Sequence, residues 1–152
     1  MIDDLPQVEA KPRQNLSISR ATITTTLPAT FGGNFAMRGE ADYFGFDAGA
    51  GQKIVVDVAA RRVGSKAAVV MGLLDSAGRT IANGEDVDGD PILETTLPAD
   101  GRYFLRLAEQ GGNASEEHFY RASVGDLHVV TAAFPIAAPP RKTLRARLLG
   151  FN

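Results

Sequence analysis

The chain has 152 residues, enough for one domain of ordinary size, and it contains no cysteine, so disulfide bonds, thiolate nucleophiles and zinc–thiolate sites are excluded. Its 16 basic and 18 acidic side chains give a formal net charge of −2, which provides no general attraction to nucleic acid or to anionic membranes. No apolar run approaches the roughly 20 residues of a membrane-spanning helix, so no membrane insertion is expected.

The first residues are polar and lack the periodicity of a helix or a strand. Met1–Pro6 is acidic where a signal peptide would be basic and then apolar. Pro6–Gln14 contains prolines and shows no alternation of polar and apolar residues. The sequence therefore predicts a linker, or lead-in, over residues 1–19.

From Ala21 to Gly125, short β-like runs alternate with Gly, Asn, Asp and Pro at intervals of roughly 8 to 12 residues, which is typical of a β-sandwich. Alternate residues are apolar in Lys53–Ala60, Arg102–Leu107 and Phe119–Val124, so each run is predicted to be a strand with one buried face. Further strands are predicted over Ala21–Leu27, Asn34–Met37, Asp42–Asp47, Ala68–Asp75, Arg79–Ala82 and Pro91–Leu97. We expect an all-β, antiparallel sandwich of eight or nine strands over residues 20–126, with little helix.

The C-terminal residues differ in kind from this pattern. Phe134–Pro140 carries three prolines and can join neither a helix nor a central strand. Thr143–Leu148 then alternates apolar and basic residues, but a single strand is not stable alone. We expect residues 127–152 to be a linker and the first strand of a further β-domain.

Four motifs carry a resemblance to a known family. They are Arg38–Phe46, in which a glycine precedes Asp-x-Phe-x-Phe, the turn segment Leu74–Arg79, the acidic segment Asn83–Asp90, and Leu97–Tyr103. In this order they resemble the bacterial pre-peptidase C-terminal domain, a jelly-roll-like β-sandwich appended to secreted proteases and other extracellular proteins. The resemblance implies a non-catalytic accessory module of a larger secreted or cell-surface bacterial protein, with peptidases among the candidates.

The flanks extend the resemblance. Glu9–Asn15 is similar to the Glu-x-Glu-Pro-Asn lead-in that often precedes this domain, and the C-terminal strand is similar to the first strand of an immunoglobulin-like domain. In related collagenase modules the lead-in carboxylates help to bind calcium. Here Lys11 and Arg13 stand where an acid and an asparagine are expected. Because cations repel calcium, no site built from Glu9 and Asn15 is expected.

The densest polar group in the sequence is the series Glu85, Asp86, Asp88 and Asp90. Closely spaced carboxylates with glycines between them are what a calcium loop uses, but the glycine and bidentate glutamate positions of an EF-hand are not filled. The four residues are weak calcium candidates, with a dissociation constant on the order of 10⁻⁴ to 10⁻³ M, and the alternative is a solvated acidic loop. We expect no tightly bound metal and no other cofactor.

Other chemistry is sparse in the sequence. His118 and His128 belong to no metal-ligand or nucleophile motif, and no catalytic or cofactor-binding residue is predicted. Arg61, Arg62 and Lys66 form a small basic cluster, interpreted as a solvated loop or, alternatively, as a contact for an acidic partner.

Two structural expectations concern carboxylates and turns. Asp42 shares a strand face with Phe44 and Phe46, so it is expected to be at least partly buried and to accept backbone N–H groups from a turn. Asp75–Gly78 and Pro98–Gly101 are predicted to be hairpin-type turns, because Asp bonds its own backbone and Gly accepts positive φ.

The expected function is a binding, spacer or secretion-associated module located outside the cell or on its surface. Its expected partners are neighbouring domains of the parent chain and extracellular polymers or proteins. A carbohydrate- or matrix-polymer-binding module is one alternative, with Tyr43 and Phe104 as outward aromatic candidates. An accessory part of a hydrolase is the other.

Overall fold

The computed structural model describes residues 4–10, 13–135 and 145–152. Within these ranges lie thirteen strands and two 3-10 turns, and no helix there is long and apolar enough to cross a membrane. The strands are β1 (Gln7–Glu9), β2 (Thr22–Thr24), β3 (Ala29–Asn34), β4 (Ala41–Ala48), β5 (Lys53–Ala59), β6 (Val69–Leu74), β7 (Thr80–Asn83), β8 (Glu85–Val87), β9 (Asp90–Thr96), β10 (Gly101–Glu109), β11 (Phe119–Gly125), β12 (Val129–Phe134) and β13 (Arg147–Phe151). The 3-10 turns are Ile18–Arg20 and Arg61–Val63. The predicted positions Lys11, Thr143 and Leu144, and residues 136–140 of the proline segment, lie outside the described residues.

The strands form two large sheets and a ribbon. The first sheet has six strands in the order β1-β3-β11-β5-β9-β8, and the second has five in the order β2-β4-β10-β6-β7. Neighbours within each sheet are antiparallel except at one edge, where β1 lies parallel to β3 and β2 lies parallel to β4. β12 and β13 pair with each other in a separate antiparallel ribbon. The expected all-β sandwich is confirmed.

The number of strands exceeds the eight or nine that were expected. β1 and β8 have only three residues each, too few for an alternation to stand out. The strand predicted over Asn34–Met37 is wrong, since the strand at this place is β3. In the sequence, Gly32 and Gly33 suggest a break. Glycine is needed at Gly33, however, because a Cβ there would lie 2.6 Å from the Tyr120 hydroxyl.

Alternate residues of the central strands build the core between the sheets. Ile54, Val56 and Val58 of β5 are fully buried, as their period-two pattern predicted. Phe31 of β3 stacks on Phe44 of β4 with ring centroids 4.4 Å apart, so aromatic packing joins the two sheets. Burying each such side chain contributes roughly 1.5 to 3 kcal/mol, against which the entropy of ordering must be set.

The lead-in is hydrogen-bonded to both sheets. β1 runs beside β3, and the Ala10 N–H donates to the Gly32 carbonyl over 2.8 Å. The N–H of Tyr43 in β4 donates to the Asn15 carbonyl, also over 2.8 Å. Residues that the sequence assigned to a linker therefore extend the first sheet and contact the second.

Only one of the two predicted turns closes a hairpin. Between β6 and β7, Asp75 Oδ1 accepts the N–H groups of Ala77 and Arg79, each over 2.9 Å, as expected for a turn that begins with Asp. Pro98–Gly101 instead joins β9 of the first sheet to β10 of the second. The hairpin predicted at this place is wrong, because the chain crosses here from one sheet to the other.

The C-terminal ribbon exposes large apolar side chains. Phe134 is 70% exposed and Leu148 is 61% exposed. A strand was predicted over Thr143–Leu148. Its last two residues, Arg147 and Leu148, are the first two residues of β13. The further β-domain to which that strand was assigned stays a prediction.

Candidate functional site

The acidic series forms a β-hairpin rather than a loop. β8 and β9 are antiparallel, with Val87 opposite Asp90, and Asp88 and Gly89 form the two-residue turn between them. The φ angles of the turn residues are 55° and 92°, as a type I′ turn requires. Asp-Gly is a strong hairpin signal in a sequence, and the sequence analysis did not use it.

Asp90 is a buried structural carboxylate. It is 1% exposed, and its Oδ2 accepts the N–H groups of Ala60 and Arg62 over 3.0 and 3.1 Å. Its Oδ1 accepts the N–H of Arg61 over 2.8 Å. Convergent backbone donors of this kind stabilise an anion. Asp90 thus anchors the 3-10 turn that follows β5, and its carboxylate is not free for a metal.

The other three acids of the series do not converge on a common point. Glu85 and Asp86 are exposed neighbours in β8, where successive side chains point to opposite faces. Asp86 Oδ1 accepts the N–H of Gly89 over 2.9 Å. In the part of the chain that the structure describes, no group of three or more His, Cys, Asp or Glu side chains is placed to hold a metal. The calcium candidates Glu85, Asp86, Asp88 and Asp90 are therefore dispersed.

A second polar group lies inside the sandwich. Asp42 of β4 and Tyr120 of β11 are each 1% exposed, and the Tyr120 hydroxyl donates to Asp42 Oδ2. Since β4 and β11 belong to different sheets, this bond crosses the core. The expectation that Asp42 is buried is confirmed. The expectation that backbone N–H groups satisfy it is wrong, because its donor is a tyrosine hydroxyl.

Asn15 and Glu40 complete this group, which we call the buried polar cluster (Asn15, Glu40, Asp42 and Tyr120). Asn15 is 0% and Glu40 is 8% exposed, and Glu40 Oε2 accepts the N–H of Met37. Glu40 Oε1 and both side-chain amide atoms of Asn15 are buried and make no hydrogen bond of normal geometry within the described residues. An unpaired buried polar atom costs roughly 1 to 3 kcal/mol, so the cluster lowers the stability of the fold.

Burial raises the pKa of Asp42 to about 6. The hydrogen bond from Tyr120 opposes this increase, the carboxylate of Glu40 adds to it, and the nearby Asn15 amide opposes it least. Burial, and then the charge of Asp42, raise the pKa of the Tyr120 phenol well above its usual value. The Tyr120 phenol therefore holds its proton more tightly than an exposed tyrosine does, and it donates that proton to Asp42 Oδ2.

The buried polar cluster does not fit a calcium ion. Calcium takes roughly six to eight oxygen ligands, whereas the oxygens without a partner in the cluster are Asn15 Oδ1 and Glu40 Oε1. The lead-in acid Glu9 is exposed in β1, and Arg13 is exposed as well. We derive no metal-dependent step from these residues.

Each histidine has a local structural partner. His118 Nδ1 lies 2.7 Å from Ser115 Oγ, which also accepts the N–H of Glu117 over 3.1 Å. These bonds are those of a serine-capped turn, so the Ser115–His118 pair results from local structure. His128 Nδ1 lies 3.0 Å from the carbonyl oxygen of Asn152.

Two cations of the basic cluster pair with carboxylates: Arg62 with Asp57 and, over 4.0 Å, with Asp90, and Lys66 with Glu117. Arg62 Nη2 lies 2.6 Å from Asp57 Oδ2, and Lys66 Nζ lies 2.7 Å from Glu117 Oε2. The cations of both pairs are largely exposed, so each pair adds little stability. Arg62 lies on the outer side of the first sheet, and Lys66 pairs with the segment before β11.

Of the two outward aromatic candidates, one is covered. Phe104 is 6% exposed because its ring packs over Gly45 of β4, where a Cβ would lie 3.1 Å from a ring carbon. Ile23 covers the same glycine from β2. Tyr43 is half-buried. This pair therefore does not form the flat, exposed platform on which sugar rings stack.

Comparison with solved structures identifies the fold. The structure aligns with the pre-peptidase C-terminal domain of a collagenase from Bacillus anthracis with a TM-score of 0.56 and 16% sequence identity, covering 68% of this chain and 93% of that chain. The chain has the pre-peptidase C-terminal fold. The resemblance carried by the four motifs between Arg38 and Tyr103 is thus confirmed at the level of the fold.

The pre-peptidase C-terminal fold is shared with a protein of a different role. Aeromonas hydrophila PliG, a periplasmic inhibitor of g-type lysozyme, aligns with a TM-score of 0.52 and 18% identity, covering 79% of this chain and 95% of that chain. Because one sandwich serves both proteins, the fold alone does not decide the function.

A curated relative adds a likeness in sequence. A probable subtilase-type serine protease of Deinococcus radiodurans is 37% identical over 71 residues, which are 45% of this chain and 10% of that protein. The chain thus matches about a tenth of the length of this relative. No protein-family model matches the chain.

Proposed function

We propose that this β-sandwich is a non-catalytic accessory module of a larger secreted or cell-surface bacterial protein, with a subtilase-type serine protease as the first candidate for the parent. The observation that carries the proposal is the 37% identity over 71 residues to such a protease. The matched part is 10% of the relative, so most of that protein lies outside the region of likeness. An appended module has this relation to its parent.

The positions of the polar groups support a structural rather than a catalytic role. A strongly raised pKa is often a mark of an active site, and here it belongs to Asp42. A catalytic acid or base must come within hydrogen-bonding distance of its substrate. Asp42 and Asp90 are each 1% exposed and are bonded within the fold, so a substrate does not reach them.

The proposed location is outside the cytoplasm. Two neighbours in fold support it: one is a domain of a collagenase, and the other is a periplasmic inhibitor. The proposed partners are neighbouring domains of the parent chain and extracellular polymers or proteins. The exposed apolar side chains of the ribbon, Phe134 and Leu148 among them, support contact with a neighbour.

The carbohydrate-binding alternative has less support than it had from the sequence. It depended on Tyr43 and Phe104 as exposed aromatic residues, and Phe104 is covered. The remaining half-buried tyrosine offers a single ring. We therefore propose protein contact, rather than polysaccharide binding, as the first candidate for a binding role.

Fractionation of the source bacterium tests the proposal. Antibodies raised against the purified chain are used to probe the medium, the cell surface and the cytoplasm. We expect a band far larger than a chain of 152 residues, in the medium or on the surface, whose tryptic peptides include those of a protease domain. A band of the size of this chain, confined to the cytoplasm, would contradict the proposal.

A further inference from the structure

A groove of about 550 Å³ lies on the outer face of the first sheet. Its floor includes Asp57 of β5 and Arg121 of β11. Arg62 and Val63 of the second 3-10 turn also line it, as do His128, just before β12, and Val129 and Val130 at the start of β12. Because Asp57 alternates with the core residues of β5, this groove faces away from the core. We call it the outer groove.

Positive side chains outnumber negative ones in the outer groove. The guanidinium groups of Arg62 and Arg121 line it together with a single carboxylate, that of Asp57. Arg62 is paired with Asp57, yet its side chain remains 43% exposed. A guanidinium has five N–H donors, so Arg62 retains donors for another acceptor. The lining therefore complements an anionic group on a ligand.

One atom at the floor of the outer groove lacks a partner. Asp57 Oδ2 accepts a hydrogen bond from Arg62 over 2.6 Å, whereas the buried Oδ1 accepts none within the described residues. An unpaired buried carboxylate oxygen is unfavourable, and because the protein itself covers this oxygen, it is not a contact point for a ligand in the groove.

The rim of the outer groove is aliphatic. Val63 is 47% exposed, and Val130 is 58% exposed. An apolar side chain placed between them would be removed from water together with both valines. No Phe, Tyr or Trp side chain is among the described residues that line the groove, which favours a peptide over a sugar ring.

We propose that the outer groove binds an extended segment of a separate protein in which an aspartate or glutamate lies beside an aliphatic residue. The ligand's carboxylate pairs with Arg62 and Arg121, and its aliphatic side chain packs between the two rim valines. This inference rests on the groove and holds whether or not the parent protein is a protease.

A peptide array tests the proposal with the full chain. The probes are immobilised peptides of about nine residues in which acidic, amide, basic and aliphatic residues are permuted at the central positions. We expect the bound peptides to combine an acid with an aliphatic residue. In fluorescence anisotropy, the counterpart with Asn or Gln in place of the acid should bind about tenfold more weakly, because it loses the charge-assisted bonds.

Arg62→Gln and Arg102→Gln form a matched pair of variants. Both arginines are paired with an aspartate, and their side chains are 43% and 45% exposed, but Arg102 lies on the second sheet. Arg62→Gln should weaken binding about tenfold, and Arg102→Gln should leave it unchanged. Val130→Ser, at an exposed position that keeps the fold, should weaken it several-fold. Selection of basic or uncharged peptides, no bound peptide, or equal effects of the two arginine variants would overturn the proposal.

Discussion

The Tyr120 hydroxyl donates a hydrogen bond to Asp42 Oδ2 across the core, and this bond joins the six-stranded sheet to the five-stranded sheet. Both residues are 1% exposed, so neither partner has water as an alternative. Burying a carboxyl group in an apolar core costs free energy, and the hydrogen bond from the Tyr120 hydroxyl offsets part of that cost.

Tyr120→Phe should lower the free energy of unfolding by about 1 to 3 kcal/mol. The substitution keeps the ring and its packing but leaves a buried carboxylate oxygen without its donor. Urea denaturation followed by circular dichroism measures the effect. Tyr43→Phe is the matched control, since Tyr43 is only half-buried and lies on the other face of β4, and it should change stability by less than about 0.5 kcal/mol. Equal effects of the two variants would argue against a special role of the Tyr120 hydroxyl.

Asp42 should make the fold less stable as pH rises from about 4 to 7. Its pKa is about 6 in the folded chain, against 3.8 for an exposed aspartate carboxyl, so the folded state binds the proton more tightly. The stabilisation is complete below the lower value and is lost as pH rises through the higher one, by up to about 3 kcal/mol.

Asp42→Asn isolates this pH dependence. Asp75 and Glu109 have lowered pKa values, owing largely to backbone hydrogen bonds, and they act in the opposite direction. The free energy of unfolding of the Asp42→Asn variant, measured in urea, is subtracted from that of the native chain at each pH. This difference removes the contribution of Asp75 and Glu109, which the two proteins share. We expect the native chain to lose stability relative to the variant between pH 4 and pH 7. A constant difference between the two would show that Asp42 does not titrate in this range.

Asp90→Ala should cost about 3 kcal/mol or more. The substitution removes the acceptor of three backbone N–H groups, those of Ala60, Arg61 and Arg62, at the 3-10 turn after β5. Glu85→Ala, in the same hairpin and exposed, should change stability by less than about 0.5 kcal/mol. Thermal unfolding of both variants distinguishes a structural carboxylate from a metal ligand, because this order should hold with and without calcium.

Calcium should bind weakly or not at all. The acids of the β8–β9 hairpin are dispersed, and the buried polar cluster has too few unpartnered oxygens. Millimolar calcium should therefore shift the melting temperature little, since binding near the dissociation constant adds only about 0.4 kcal/mol. Isothermal titration calorimetry gives the direct check. Micromolar affinity abolished by Asp88→Ala with Asp90→Ala, or by Glu40→Gln with Asp42→Asn, would reverse this conclusion.

The sequence predicts the long strands because their signal is local. β5 and β10 alternate over seven and nine residues, and their apolar faces are found in the core. Short strands lack that signal. β1 depends on a parallel pairing with β3. In β3, Gly33 gives the appearance of a turn in the sequence, whereas a glycine is needed there because the Tyr120 side chain, distant in the sequence, packs against it.

Sequence patterns predict only two of the four members of the buried polar cluster. Glu40 and Asp42 precede Phe44 at a spacing of two, so alternation alone places all three on one face. Asn15 and Tyr120 reach the cluster through strand order, which local patterns do not contain. The Asp88-Gly89 turn, by contrast, has a local signal, because the dipeptide Asp-Gly itself predicts a hairpin turn. The sequence analysis did not use this signal.

Labelling with a fluorophosphonate, which reacts with the catalytic serine of serine hydrolases, tests the central claim most directly. The purified 152-residue chain and the native protein captured from the source organism with antibodies to that chain are labelled side by side. An accessory module of a serine protease predicts no label on the purified chain and a label on the larger native protein. Label on the purified chain, lost on heat denaturation, would show a catalytic serine within the sandwich and contradict the account.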